Sequence, residues 1–172
     1  LPSPDPGEAT PPPIPKPMYH RVAALAFLRA RIVADGRTER LDIVEWRTGG
    51  RPDAAEADLL AGFWRSFEAW KPRLVTFNGR GFLLPVLKYR SMRHGLSARY
   101  LHQAGDRWSG YGNRYALTHH VDLMDVLSDH RASPFPSLAD VARGLGLGGV
   151  RGALGAAVRG RVDRVGRRQR AV

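Results

Sequence analysis

Apolar positions fall into a few blocks whose spacing dictates local structure. Between residues 53 and 70, Leu59, Leu60, Phe63, Trp64, Phe67 and Trp70 recur three and four apart, the stripe of an amphipathic helix. Asp53, Glu56 and Asp58 lie near its start, where the helix dipole favours acids, and Pro72 ends it. Upstream, the apolar block Val22 to Leu28, a turn at Asp35-Gly36 and the alternating block Leu41 to Trp46 predict an antiparallel strand pair. The alanine-rich Val22 to Leu28 fits a short helix equally well. The aromatic stripe of the long helix is read as core, not as a platform for bases.

Downstream, Arg73 to Phe77 reads as a short buried strand that ends in Asn78-Gly79-Arg80-Gly81-Phe82. A second helix is predicted from Leu84-Pro85 to about His94, since proline is tolerated in a first turn, with Gly95 as its cap. Residues 99 to 118, rich in Gly, Tyr, Arg and Trp, read as a long irregular insertion. The block Val121 to Leu127 leads into a helix, and Ser137, with Asp140 three residues behind, caps another. Strands alternating with helices predict an α/β layer architecture.

Prolines at 2, 4, 6, 11, 12, 13, 15 and 17 make residues 1–17 an extended linker or disordered end. The chain has 172 residues, enough for one domain, with 43% hydrophobic and 25% charged positions. It contains no cysteine, which excludes disulfides, thiolate metal sites and a cysteine nucleophile. It shows neither a membrane-length apolar run nor a signal peptide, so a cytoplasmic location is expected. The formal charge of +11 suggests a polyanionic partner, but Arg143 to Val172 alone holds eight arginines against Asp163. Charge therefore describes the tail more than any groove.

The stretch Leu74-Val75-Thr76-Phe77-Asn78-Gly79-Arg80-Gly81-Phe82-Leu83-Leu84-Pro85 resembles the second motif of the predicted 3′–5′ exonucleases related to the proofreading domain of B-type DNA polymerases. There a strand runs into Asn-Gly-x-x-Phe-Asp-x-Pro. The blocks His120 to Ser128, Ser137 to Ala142 and Met18 to Ala23 resemble further parts of that family, together covering residues 18–148. The resemblance implies a ribonuclease H-like mixed sheet flanked by helices, here expected to lack its first strand. It also implies hydrolysis of phosphodiesters at single-stranded DNA or RNA 3′ ends, with Mg²⁺ or Mn²⁺ held by carboxylates.

The acids that this chemistry requires are mostly missing. Residues 1–17 offer only Asp5 and Glu8 among prolines where the family has an Asp-x-Glu strand. Leu83 occupies the position of the second-motif aspartate, and no tyrosine follows Tyr115 to build the last motif. The metal is therefore expected to bind poorly, and the chain to be inactive or very weak. Residues 149–172 form a basic Arg/Gly/Ala tail, expected either to be out of frame in a truncated gene product or to act as a nucleic-acid arm.

Asp122 and Asp125 are the best remaining acids, three residues apart and on one face if a helix has begun there; a capping role for Asp122 is the competing reading. Asn78, Gly79, Arg80 and Phe82 are the candidate nucleic-acid contacts, although a turn explains the first two as well. Arg80, Lys88, Arg90 and Arg93 give the second helix a basic side. Trp108, Tyr111 and Tyr115 either stack on bases or fold back onto the domain. The six histidines show no metal-ligand spacing. Against the exonuclease-family reading stand a non-catalytic nucleic-acid-binding module and a gene fragment without function.

Overall fold

The computed structural model describes residues 14–50, 53–106 and 108–147. Most of the proline-rich stretch 1–17 and all of the tail 149–172 lie outside them. The described residues form two compact units. One holds the residues up to Pro72 and Gly79–Asp106, the other Arg73–Asn78 and the residues from Trp108 onward.

In the first unit, a 3₁₀ turn at Pro17–Tyr19 precedes strand β1 (Leu25–Asp35), which pairs antiparallel with β2 (Thr38–Gly49). The ambiguous alanine-rich block is thus strand from Leu25 on, as its leucine and phenylalanine, alternating with small residues, suit a pleated surface. Gly36 turns the hairpin at φ +61°, a conformation that costs glycine little. A bulge between Arg29 and Ala30 leaves Val44 as the extra residue of β2, so the alternation there is not strict. Helix α1 (Glu56–Trp70) begins three residues later than the acid-rich stretch suggests. Leu60, Trp64 and Phe67 of its stripe are buried as core, while Phe27 meets the edge of Trp70.

A single-turn π-helix, Gly79–Leu83, runs directly into helix α2 (Leu84–Arg93). Pro85 lies in the first turn of α2, as anticipated. Leu96 N–H reaches Ser91 O and Gly95 N–H reaches Met92 O, so Gly95 at φ +65° closes the helix with a double-bonded cap. Between α1 and α2, the Trp64 indole N–H donates to Ser91 Oγ at 2.7 Å. The stretch expected to be irregular opens with a short helix, α3 (Arg99–Gln103), whose Leu101 is buried.

In the second unit, β3 (Leu74–Thr76) pairs in parallel with β4 (His120–Asp122), and α4 (Leu123–Leu127) follows at once. Helix α5 (Leu138–Gly144) starts at Ser137, whose Oγ accepts from Asp140 N–H and donates to the Asp140 carboxylate. The capping pair legible in the sequence is therefore formed. Two small sheets flanked by helices give the mixed α/β organisation expected. Among the described residues, no helix is long and apolar enough to cross a membrane.

Candidate functional site

In the second unit, Asp122 ends β4 and acts as the N-cap of α4. Its Oδ1 accepts from Asn78 N–H at 2.8 Å and from Met124 N–H at 3.3 Å. Asn78 itself stands in the left-handed region at φ +59°, which asparagine tolerates better than most residues. One buried carboxylate thus holds the strand-end turn and opens a helix. Asp125 is also buried, and its Oδ2 lies 3.3 Å from Arg114 Nε. Neither carboxylate is an open ligand.

Around these acids the second unit is stitched by side chains. His120 is fully buried, within hydrogen-bond distance of Thr76 Oγ1 at 2.8 Å and of Tyr111 O at 3.3 Å. Of the three aromatics singled out in the insertion, Tyr111 is buried and packs edge-on to His119, whereas Trp108 and Tyr115 are exposed. Tyr115 leans against the ring of His130.

In the first unit, Gly79 is buried, while Phe82 and Leu83 are each about a third exposed, at 37% and 36%. Phe82 meets the His20 ring edge-on at 4.8 Å. Arg80 is half-buried, with Nε and Nη1 enclosed from solvent. Leu83 carries only an isobutyl group at the start of α2, which offers nothing to a cation.

The strongest charged cluster of the first unit was not anticipated. Glu56, 3% exposed at its side chain, accepts from Val22 N–H at 2.7 Å and from Arg90 Nε at 2.7 Å. Arg90 Nη2 completes a two-pronged ion pair, and His94 Nε2 lies 3.0 Å from the same carboxylate. These partners hold the Glu56 carboxyl down to about 2 from its usual 4.5, chiefly through the hydrogen bonds from Arg90, against the opposing cost of burial. The same contact raises the Arg90 guanidinium above its ordinary value. Arg90 therefore belongs to a structural pair rather than to a phosphate-facing basic side. A sequence signal existed in the i, i+4 spacing of Arg90 and His94, which puts both on one face of α2. Their acid, 34 residues earlier, carried none.

A hard divalent cation requires several carboxylate or carbonyl oxygens converging on one point. Among the described residues, no three His, Cys, Asp or Glu side chains gather in that way. Glu56, Asp122 and Asp125 are engaged as above, and Asp140 is held below its usual carboxylate range by the Ser137 hydroxyl and Arg143. The described residues thus bring together no carboxylate set of the kind that the resemblance implies for a metal pair.

No curated protein and no solved structure matches the chain. A family model described as a predicted 3′–5′ exonuclease related to the exonuclease domain of PolB matches residues 13–169. That span contains the segment Asn78 to Leu83 and the blocks carrying Asp122 and Ser137, and two small sheets flanked by helices are consistent with a ribonuclease H-like exonuclease domain. The chain accordingly belongs to the family of predicted 3′–5′ exonucleases related to the PolB exonuclease domain.

Proposed function

We propose that this chain is an exonuclease-family domain that engages single-stranded nucleic-acid ends and hydrolyses them weakly or not at all. The observation that carries the reading is the aliphatic Leu83 at the position where the family motif places a metal-holding aspartate. Asp122, which caps α4 and holds Asn78, and Asp125, beside Arg114, support it further. Two-metal hydrolysis depends on cations that stabilise both the attacking and the leaving oxygen. Removing the oxygens that position them forfeits most of the rate, and Mg²⁺ or Mn²⁺ is held poorly. Among Asn78, Gly79, Arg80 and Phe82, the exposed ring of Phe82 is best suited to meet a base. The enclosed guanidinium of Arg80 is less available to a phosphate.

Labelled single-stranded DNA incubated with the chain and Mn²⁺ tests the proposal. The expected result is no shortening beyond the no-enzyme control, unchanged by Leu83→Asp alone. Robust 3′ trimming that EDTA abolishes would overturn it. The arginine-rich segment after residue 148 favours a second reading, a non-catalytic binding module. Salt-dependent retention of DNA that disappears on deleting residues 149–172 supports that alternative.

A further inference from the structure

We infer that the outer face of the β1–β2 ribbon is a self-association surface on which two copies of this chain pack face to face. Directly paired residues of an antiparallel ladder share a face. The register therefore sets Leu28 with Trp46, Ala30 with Ile43 and Ile32 with Leu41 on one side. The opposite side is the one turned to α1, where Phe27 contacts Trp70 and the Arg29 guanidinium lies 5.0 Å above the same ring. The first side is left in solvent, with Leu28, Leu41, Ile43 and Trp46 59–73% exposed and Ile32 43% exposed.

Soluble monomers rarely leave contiguous apolar surface beyond a few hundred Å². With large side chains offering roughly 150–250 Å² each, these five present on the order of 500–600 Å². Covering the patch on two copies removes on the order of 1,000–1,200 Å², the lower edge of the range for specific interfaces. A symmetric contact requires a patch complementary to itself. This one qualifies because its three pairs carry no charge. Of the ribbon's charges, Arg29 and Arg47 with Glu45 and Arg40 with Asp42 are paired on the other side, while Glu39, opposite Ala34, stands on this side at the hairpin end, beyond the three pairs. The three pairs themselves therefore bring no like charges together at the contact, whatever the net charge of +11. Apolar ribbon faces stack about 10 Å apart as a two-layer sandwich, and a two-stranded ribbon is only marginally stable without such cover. An apolar face edged by an acid does not suit nucleic acid.

Sedimentation velocity of the full chain, from about 5 to about 500 µM, tests the inference. The expected result is a concentration-dependent monomer–dimer equilibrium. Trp46→Glu, and separately the strand-compatible Leu41→Thr with Ile43→Thr, should weaken it by more than about tenfold while leaving the circular dichroism of the monomer unchanged. Arg31→Ser, on the opposite side, should leave the dimer intact. A wild-type chain that stays monomeric throughout, a dimer that survives both face variants, or open-ended aggregation in place of a dimer overturns the inference.

Discussion

Substituting Glu56 by Gln tests how much of the first unit depends on one buried carboxylate. The glutamine keeps the shape but replaces an acceptor oxygen by an NH₂ group facing Arg90 and His94, and it leaves Arg90, only 15% exposed, without its counter-charge. Breaking a buried ion pair on one side costs about 3–5 kcal/mol. That is a large share of the roughly 5–15 kcal/mol that holds a domain together. The pH dependence of the wild type provides a second reading of the same interaction. Because the folded Glu56 carboxyl titrates near 2 rather than 4.5, its contribution is fully present above about pH 4.5 and is lost as the pH falls toward 2. The full interval corresponds to about 3 kcal/mol, reduced to roughly 1–2 kcal/mol by solvent screening around the partners. Urea unfolding followed by circular dichroism, at pH 7 and then stepwise down to about pH 2.5, measures both quantities. The expected outcome is a Glu56→Gln midpoint well below wild type at pH 7, with the two curves converging in acid. Replacing Glu56 and Arg90 together by leucine should recover part of the loss. A glutamine variant within about 0.5 kcal/mol of wild type at pH 7 would refute the reasoning.

Four further substitutions probe other contacts. Ser91→Ala removes the acceptor of the buried Trp64 indole N–H and should lower stability by about 1–2 kcal/mol; an unaltered thermal midpoint would mean that the bond contributes nothing. Asp122→Ala takes one oxygen from both Asn78 N–H and Met124 N–H, costing about 1–3 kcal/mol. Faster amide exchange at those two residues is the specific readout, and exchange confined to other positions would contradict it. Gly50→Ala, at φ +112°, would put a Cβ 2.7 Å from Ala23 O and should cost more than about 2 kcal/mol. Gly36→Ala, with open space around it, should cost only about 1 kcal/mol, so equal losses in the two melting curves would rule out steric contact as the cause.

Local signals were the legible ones. The 3.6-residue stripe from Leu59 to Trp70, Pro85 in a first turn, Gly95 at a helix end and the Ser137–Asp140 cap each depend on residues within a few positions, and each is formed. The assignment of Asn78 to Leu83 to a strand-to-helix corner was readable for the same reason, because β3, the π-turn and α2 are consecutive. Interactions that depend on distant partners were not. Nothing near Arg90 announces Glu56, and a basic residue on a helix reads as solvated surface until its acid is located. His120 was set aside for want of ligand spacing, yet burial gives it Thr76, 44 residues away, and Tyr111 as partners. Asp122 was legible as a cap or as a ligand. Its hydrogen bond to Asn78, across the same long interval, shows what the cap also fastens.

The two units interleave along the chain, and this has a consequence for dissection. Arg73–Asn78 belongs with the residues after 106, yet it is flanked on both sides by segments of the other unit. No single cut liberates the second unit whole, although one near residue 107 leaves all of the first on one piece. A proteolytic nick near residue 107 would leave β3 on the N-terminal piece and β4 on the C-terminal piece, so neither fragment could complete the parallel pair alone. Joining 73–78 directly to 108, with 79–107 left out, is the route by which the second unit could be tested as an autonomous species.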